Sequence, residues 1–169
     1  MFVFIMRHGE AAAGADSDAA RELTDSGRQD VADMVERCQA ELTNIDEIWA
    51  SPYTRAQQTA MIAADKLGKS VVTQQWLTPT NNTDHVLTSL RETEKTILLV
   101  SHQPLVGTLL DRFADLEPGR YRMATSAIAC VETELLVYGC GDLCWLHQPQ
   151  VKMLHRETQA TGVANPPGN

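Results

Sequence analysis

Five apolar residues in a row, Phe2-Val3-Phe4-Ile5-Met6, stop abruptly at Arg7-His8-Gly9-Glu10. An unbroken apolar run this short suits a strand buried on both faces of a parallel sheet. In open α/β sheets, ligands bind just beyond the carboxyl ends of the strands. Arg7 and His8 stand at such an end, and Gly9 lets the backbone turn sharply there. Alone, an Arg-His pair at a strand end is an ordinary polar exit from a core. The rest of the chain decides between that reading and a functional one.

The same arrangement recurs twice. Ile45 to Ala50 reads as a second short strand, and it runs into Ser51-Pro52-Tyr53-Thr54-Arg55-Ala56. Ser51 is expected to cap a helix and Pro52 to occupy its first position. Arg55 then falls in the first turn, beside an N-terminus that favours anions. Ala56, Ala60, Ala63 and Leu67 continue as a buried stripe, and Gly68 ends the helix. Thr96 to Val100 is the third instance, running into Ser101-His102-Gln103-Pro104. A helix with proline at its start follows, marked by Leu105, Val106, Leu109, Leu110 and Phe113. His102 thus holds the same topological position as His8.

The remaining elements follow from local signals. Leu23-Thr24-Asp25-Ser26-Gly27 opens a helix that Thr24 can cap, with Val31, Met34, Val35, Cys38 and Leu42 as its apolar stripe. Val71 to Gln75 predicts a strand, and Val86, Leu87 and Leu90 a short helix. Ser126 to Val131, Glu134 to Tyr138 and Trp145 to Gln150 read as strands, with a turn over 139–142. No helices separate these last strands, so some are expected to pair antiparallel. Alternating strands and helices predict a three-layer α/β/α sandwich with a mostly parallel sheet. One domain over residues 1–157 is expected, with a flexible polar tail over 158–169.

Charge narrows the function classes. The 169 residues carry a net charge of −8, from 14 basic and 22 acidic side chains. That balance argues against nucleic acid or an anionic membrane as the main partner. Arginine outnumbers lysine ten to four. Guanidinium groups gathered in one pocket of an acidic chain suit local phosphate binding. No apolar run approaches the ~20 residues that cross a bilayer. The first strand is too short for a signal-peptide core. A cytoplasmic monomer is expected, with its four cysteines (Cys38, Cys130, Cys140, Cys144) as free thiols. Cys140 and Cys144 lie near each other, but no His or Cys pair at zinc spacing accompanies them, so no metal is expected. His147 and His155 have no motif around them.

Three strand ends are therefore expected to deliver Arg7-His8, Arg55 and His102 to one edge. A phosphoryl group in transfer spreads negative charge over its oxygens, which paired guanidinium donors can hold. A neutral imidazole is a competent nucleophile near neutral pH.

In order along the chain, Arg7-His8-Gly9, Leu23-Thr24-x-x-Gly27, Ser51-Pro52-x-x-Arg55-Ala56-x-Gln58-Thr59 and Ser101-His102 resemble the histidine phosphatase superfamily, also called phosphoglycerate mutase-like. The short length and Thr125-Ser126-Ala127-Ile128-Ala129 make the chain more similar to that family's protein-phosphohistidine phosphatases. The likeness spans residues 1–155. It implies that His8 attacks phosphorus and is transiently phosphorylated. It implies that Arg7, Arg55 and His102 hold the phosphoryl oxygens, with no cofactor. Arg21 is a further phosphate contact by the same likeness.

Two departures from the wider family bear on substrate. Most members place a carboxylic acid after the third strand or elsewhere at the pocket, to protonate an alcohol leaving group. Residues 71–82 here contain no Asp or Glu, and Glu10 and Asp84 lie outside the usual place. Larger relatives carry long insertions over the pocket, and this chain has none of obvious length. Both points favour a phosphohistidine on a protein surface, such as a phosphotransfer domain of a two-component relay. The alternatives are a small-molecule phosphomonoesterase of the same fold, or a non-catalytic phosphohistidine-binding adaptor.

Overall fold

β1 (Phe2–Arg7) lies inside a six-stranded sheet of order β3-β2-β4-β1-β5-β6. The computed structural model describes residues 1–149. The expected tail over 158–169, the end of the expected domain and His155 lie outside those residues. The other strands are β2 (Glu47–Ala50), β3 (Ser70–Thr73), β4 (Ile97–Ser101), β5 (Ile128–Thr133) and β6 (Gly141–His147). The helices are α1 (Asp25–Arg37), α2 (Thr54–Leu67), α3 (Thr83–Arg91) and α4 (Leu105–Phe113). β3, β2, β4 and β1 run parallel, and β5 and β6 add antiparallel to the β1 side. No helix among the described residues is long and apolar enough to cross a membrane.

The continuous apolar run of β1 has the expected cause. Val3 and Ile5 enter a core with Leu87, Leu109 and Phe113 of α3 and α4. Phe4 and Met6 enter the opposite core, with Val31 and Val35 of α1 and Ala56 and Ala60 of α2. A strand covered on both faces has no position for a polar side chain until it leaves the sheet. It leaves at Arg7-His8. Because β2, β4 and β1 are adjacent and parallel, their carboxyl ends open side by side. That adjacency brings Arg55, His102 and His8 together.

α1 begins as its sequence indicates. Thr24 Oγ1 accepts from the Gly27 N–H at 2.9 Å. Gly27 has a second reason to be glycine. A Cβ there would stand 2.3 Å from the Glu10 carbonyl oxygen. Gly9 faces the same contact from the other side, where a Cβ would lie 2.8 Å from the Gly27 carbonyl oxygen. The turn after β1 and the first turn of α1 therefore meet backbone to backbone. Gly27→Ala forces these two segments apart and should cost about 1–3 kcal/mol. Urea unfolding of the variant checks this; a cost within error of zero would show that the contact yields freely.

Four local expectations are corrected. Ser51 does not cap α2, and Pro52 is not in it. The helix starts at Thr54, with Tyr53 at the cap position and no side-chain cap bond. Ser51 Oγ instead accepts from the Tyr53 N–H at 3.3 Å, which turns the chain ahead of the helix. Glu134 to Tyr138 is not a strand. The Thr133 hydroxyl donates to the Leu135 and Cys140 carbonyls and folds that segment into a turn. Leu135 and Val137 stay exposed, since no layer of the described residues lies over them. The last strand consequently starts at Gly141, inside the expected turn, and ends at His147. The third strand begins one residue earlier than expected and ends at Thr73.

Candidate active site

A cleft of about 440 Å³ opens beyond the carboxyl ends of β1, β2 and β4. Arg7, His8, Arg21, Arg55 and His102 all line it. The residues singled out in the sequence thus share one site, although they lie up to 95 positions apart.

His8 is held in one tautomer. Its Nδ1 lies 2.6 Å from the Gly9 carbonyl oxygen, which can only accept. Nδ1 therefore carries the proton. Arg55 Nε donates to His8 Nε2 at 3.1 Å, which requires a lone pair on Nε2. Both contacts assign the same state: a neutral ring with its bare nitrogen toward the guanidinium groups. Gly9 is fixed in turn, because its N–H donates to Thr59 Oγ1 at 3.1 Å and Thr59 donates to the Arg55 carbonyl at 2.7 Å. Thr59, fully buried, thereby ties the His8 turn to α2.

The connection before β5 braces the other side. Arg7 Nη1 donates to the Met123 carbonyl at 2.9 Å, and the Ser126 N–H donates to the His8 carbonyl at 3.1 Å. Ser126 takes a φ of 64° to do so. A non-glycine residue in that region costs of order 1–3 kcal/mol and persists only where its surroundings enforce it. This explains why the Thr125-Ser126-Ala127 stretch belongs with the site motifs.

His102 sits 5.0 Å from His8, ring centre to ring centre. Its Nε2 lies 2.7 Å from Ser51 Oγ. Two buried nitrogens at the cleft, Arg7 Nε and His102 Nδ1, have no hydrogen-bond partner among the described residues. Both belong to side chains suited to meet an anion.

Asp18 was not singled out in the sequence, where residues 11–20 read as a plain acidic loop. In the structure its backbone carbonyl accepts from Arg55 Nη1 at 2.6 Å and its carboxylate pairs with Arg55 Nη2 at 3.2 Å. The same carboxylate pairs with Arg21 Nη1 at 3.1 Å. Arg21 also donates to the Ala12 and Ala11 carbonyls, so it stands at the rim with its donors engaged. The cleft therefore does contain carboxylates, contrary to the expectation of an acid-free pocket. The surroundings of Asp18 do not make it a proton donor. The Arg21 and Arg55 guanidinium groups hold the Asp18 carboxyl below its ordinary range. Glu10 Oε2 already accepts from the Thr24 and Ser26 hydroxyls. Asp84 lies elsewhere, paired with Arg112 at 2.9 Å. The visible signal for Asp18 was its spacing of three residues from Arg21.

Burial above all, then Arg55 and Arg7, pushes the His8 imidazole down to about 4, against the raising effect of the Gly9 carbonyl. Burial, then His8 and Arg55, pushes His102 down to about 3. Both rings stay neutral at physiological pH. Each folded-state pKa lies below the ordinary 6.5, so the unfolded chain binds more protons between them. Stability is fully present above pH 6.5 and is lost as pH falls toward 4. Each ring contributes up to ~1.4 kcal/mol per pH unit in that window. His8→Asn should therefore show a smaller fall in melting temperature than the wild type when pH drops from about 7 to about 5. Equal falls would mean that His8 is not buried in its neutral form.

Among the described residues no group of three or more His, Cys, Asp and Glu side chains is placed to hold a metal ion. All four cysteines are free. His147, outside the cleft, lies 3.3 Å from Arg37.

Residues 3–85 match the Histidine phosphatase superfamily (branch 1). Together with the relatives that follow, this places the chain: it belongs to the histidine phosphatase superfamily and is a phosphatase. Over 157 residues it is 36% identical to the phosphohistidine phosphatase SixA of Escherichia coli (strain K12), covering 88% of this chain and 94% of that protein. A SixA homolog of Haemophilus influenzae (strain ATCC 51907 / DSM 11121 / KW20 / Rd) is 36% identical over 129 residues, covering 65% of this chain and 75% of that protein. The solved structure of the protein histidine phosphatase SixA complexed with tungstate superposes with a TM-score of 0.79 at 34% identity, covering 88% of this chain and 97% of that one.

Proposed function

We propose that the chain is a protein-phosphohistidine phosphatase working through a phosphorylated His8. The observation that carries this is the His8 tautomer. Nε2 presents a lone pair between Arg55 and a neighbouring imidazole, while Nδ1 is anchored on Gly9. Attack by Nε2 forms an N–P bond and breaks the bond from phosphorus to the substrate nitrogen. The ring then carries positive charge, and its Nδ1–H donates more strongly to the Gly9 carbonyl. Water attacks next, an O–P bond replaces the N–P bond, and inorganic phosphate leaves with His8 restored. Arg7, Arg55 and His102 hold the oxygens during both displacements, and Arg21 adds positive charge at the rim.

The leaving group selects the substrate class. An alkoxide needs a proton from an acid, since its conjugate acid lies near water's pKa of ~15.7. General-acid help is worth ~100-fold or more there. An imidazole, with a pKa of about 6.5, departs neutral when its other nitrogen carries the proton. The cleft's Asp18 is held ionised and its Glu10 is engaged by hydroxyls. Phosphohistidine is accordingly the better substrate. A protein bearing it, such as a phosphotransfer domain of a two-component relay, is the proposed partner, met in the cytoplasm by a monomeric enzyme. Side-by-side assays on a phosphorylated phosphotransfer domain, phosphoserine and a sugar phosphate test the choice. The domain should be turned over at least about 100-fold faster. Comparable rates would reassign the chain to small-molecule phosphomonoesters.

A further inference from the structure

Ser51 was expected at a helix cap, and the structure gives it different work. Its backbone is pinned from both sides: its N–H donates to the Val100 carbonyl at 3.0 Å, and its own carbonyl accepts from Gln57 Nε2 at 2.6 Å. The side chain is fully buried, and Oγ accepts from the Tyr53 N–H. Its hydroxyl proton then needs an acceptor, and the nearest is His102 Nε2 at 2.7 Å. If the imidazole donated instead, the serine proton would be buried without a partner, at a cost of about 1–3 kcal/mol.

We infer that Ser51 is a positioning residue that donates to His102 Nε2 and so fixes His102 with its proton on Nδ1. Nδ1 is the nitrogen with no partner among the described residues. It is also the only ring nitrogen left to meet a phosphoryl oxygen. A neutral His102 in the other tautomer would turn a lone pair toward that oxygen and repel it. Serine thus makes an uncharged imidazole a donor, the role that a protonated imidazole fills at other anion sites. The inference rests on the proposed role of His102 as a phosphoryl contact.

Nitrogen-15 NMR on histidine-labelled wild-type protein reads the tautomer directly, with the His102 signals assigned by their loss in His102→Gln. The expected result is a protonated Nδ1 and a bare Nε2 at neutral pH. A protonated Nε2 would overturn the inference, whatever the enzyme acts on. In Ser51→Ala the Nδ1–H signature should weaken, and phosphoryl transfer from a phosphorylated phosphotransfer domain should slow by about 10- to 100-fold. Ser51→Thr, which keeps the hydroxyl, should recover most of that loss. Wild-type rates in a folded Ser51→Ala would also overturn it. If the wild type is inactive on phosphohistidine but shows the expected tautomer, the substrate reading fails and the Ser51 assignment stands.

Discussion

Replacing His8 by asparagine is expected to abolish turnover while leaving the fold in place. Asparagine can still donate an N–H toward the Gly9 carbonyl, so the turn after β1 keeps its main contact. It has no ring nitrogen to attack phosphorus. Loss of a covalent nucleophile removes the whole two-step route, and a fall of about 10⁴-fold or more is expected. Phosphate release from a phosphorylated phosphotransfer domain measures it. Thermal unfolding at neutral pH separates this loss from misfolding. Turnover within tenfold of the wild type would remove His8 from the nucleophile's role.

Arg55→Met is expected to have the next largest effect. Arg55 is almost completely buried, and its three nitrogens reach three different points: His8 Nε2, the Asp18 carbonyl and the Asp18 carboxylate. Methionine keeps much of the aliphatic stem and removes all of these donors. Electrostatic stabilisation by one preorganised donor at a transferring group is worth about 10²- to 10³-fold in rate. A loss in that range is expected in the phosphoryl-transfer step. Arg55→Lys should not restore it, because a lysine ammonium cannot make a spread of directed bonds from one plane. Two further readouts belong to this variant. The connection before α1 loses its tie to α2, so amide exchange over residues 11–20 should quicken. The His8 imidazole also loses a neighbouring positive charge, so its pKa should rise toward its ordinary value. Unchanged exchange over 11–20 would mean that Asp18 is anchored without Arg55.

The parts of this fold that sequence exposed are those where one strong local rule acts. The run Phe2 to Met6 had to be doubly covered, and the abrupt arrival of Arg7-His8 marked where cover ends. Three such exits on parallel strands imply one shared edge, because parallel strands present their carboxyl ends together. His8, Arg55 and His102 meet at that edge. The parts that stayed hidden depend on contacts between distant segments. Glu134 to Tyr138 alternates like a strand, but no layer of the described residues covers Leu135 and Val137, and the Thr133 hydroxyl closes the turn. Ser51 looks like a helix cap by type and position, yet its hydroxyl meets His102, 51 residues away. Asp18 lies in a stretch with no periodicity, and only the folded chain shows its carboxylate between two guanidinium groups. The spacing of Thr59 from Arg55 gives its helical bond, whereas its grip on Gly9 comes only from folding.

Two carboxylates, Asp18 and Glu10, line the cleft. Arg21 and Arg55 hold the Asp18 carboxyl below its ordinary range, so it stays ionised, and Glu10 accepts from the Thr24 and Ser26 hydroxyls. Under the proposed function an alcohol leaves slowly from this site, whereas an imidazole needs no such help. The chemistry on both sides of the first step is then alike, since one ring nitrogen hands the phosphoryl group to another.

Rapid quenching of a single turnover is the most direct check on that step. The wild-type protein is mixed in excess with a phosphotransfer domain carrying radiolabelled phosphohistidine, and labelled peptides are mapped over time. The label should pass first to His8, in an acid-labile form, and then to inorganic phosphate. Label settling on a different side chain, or phosphate formed without any labelled intermediate on the protein, would contradict the account.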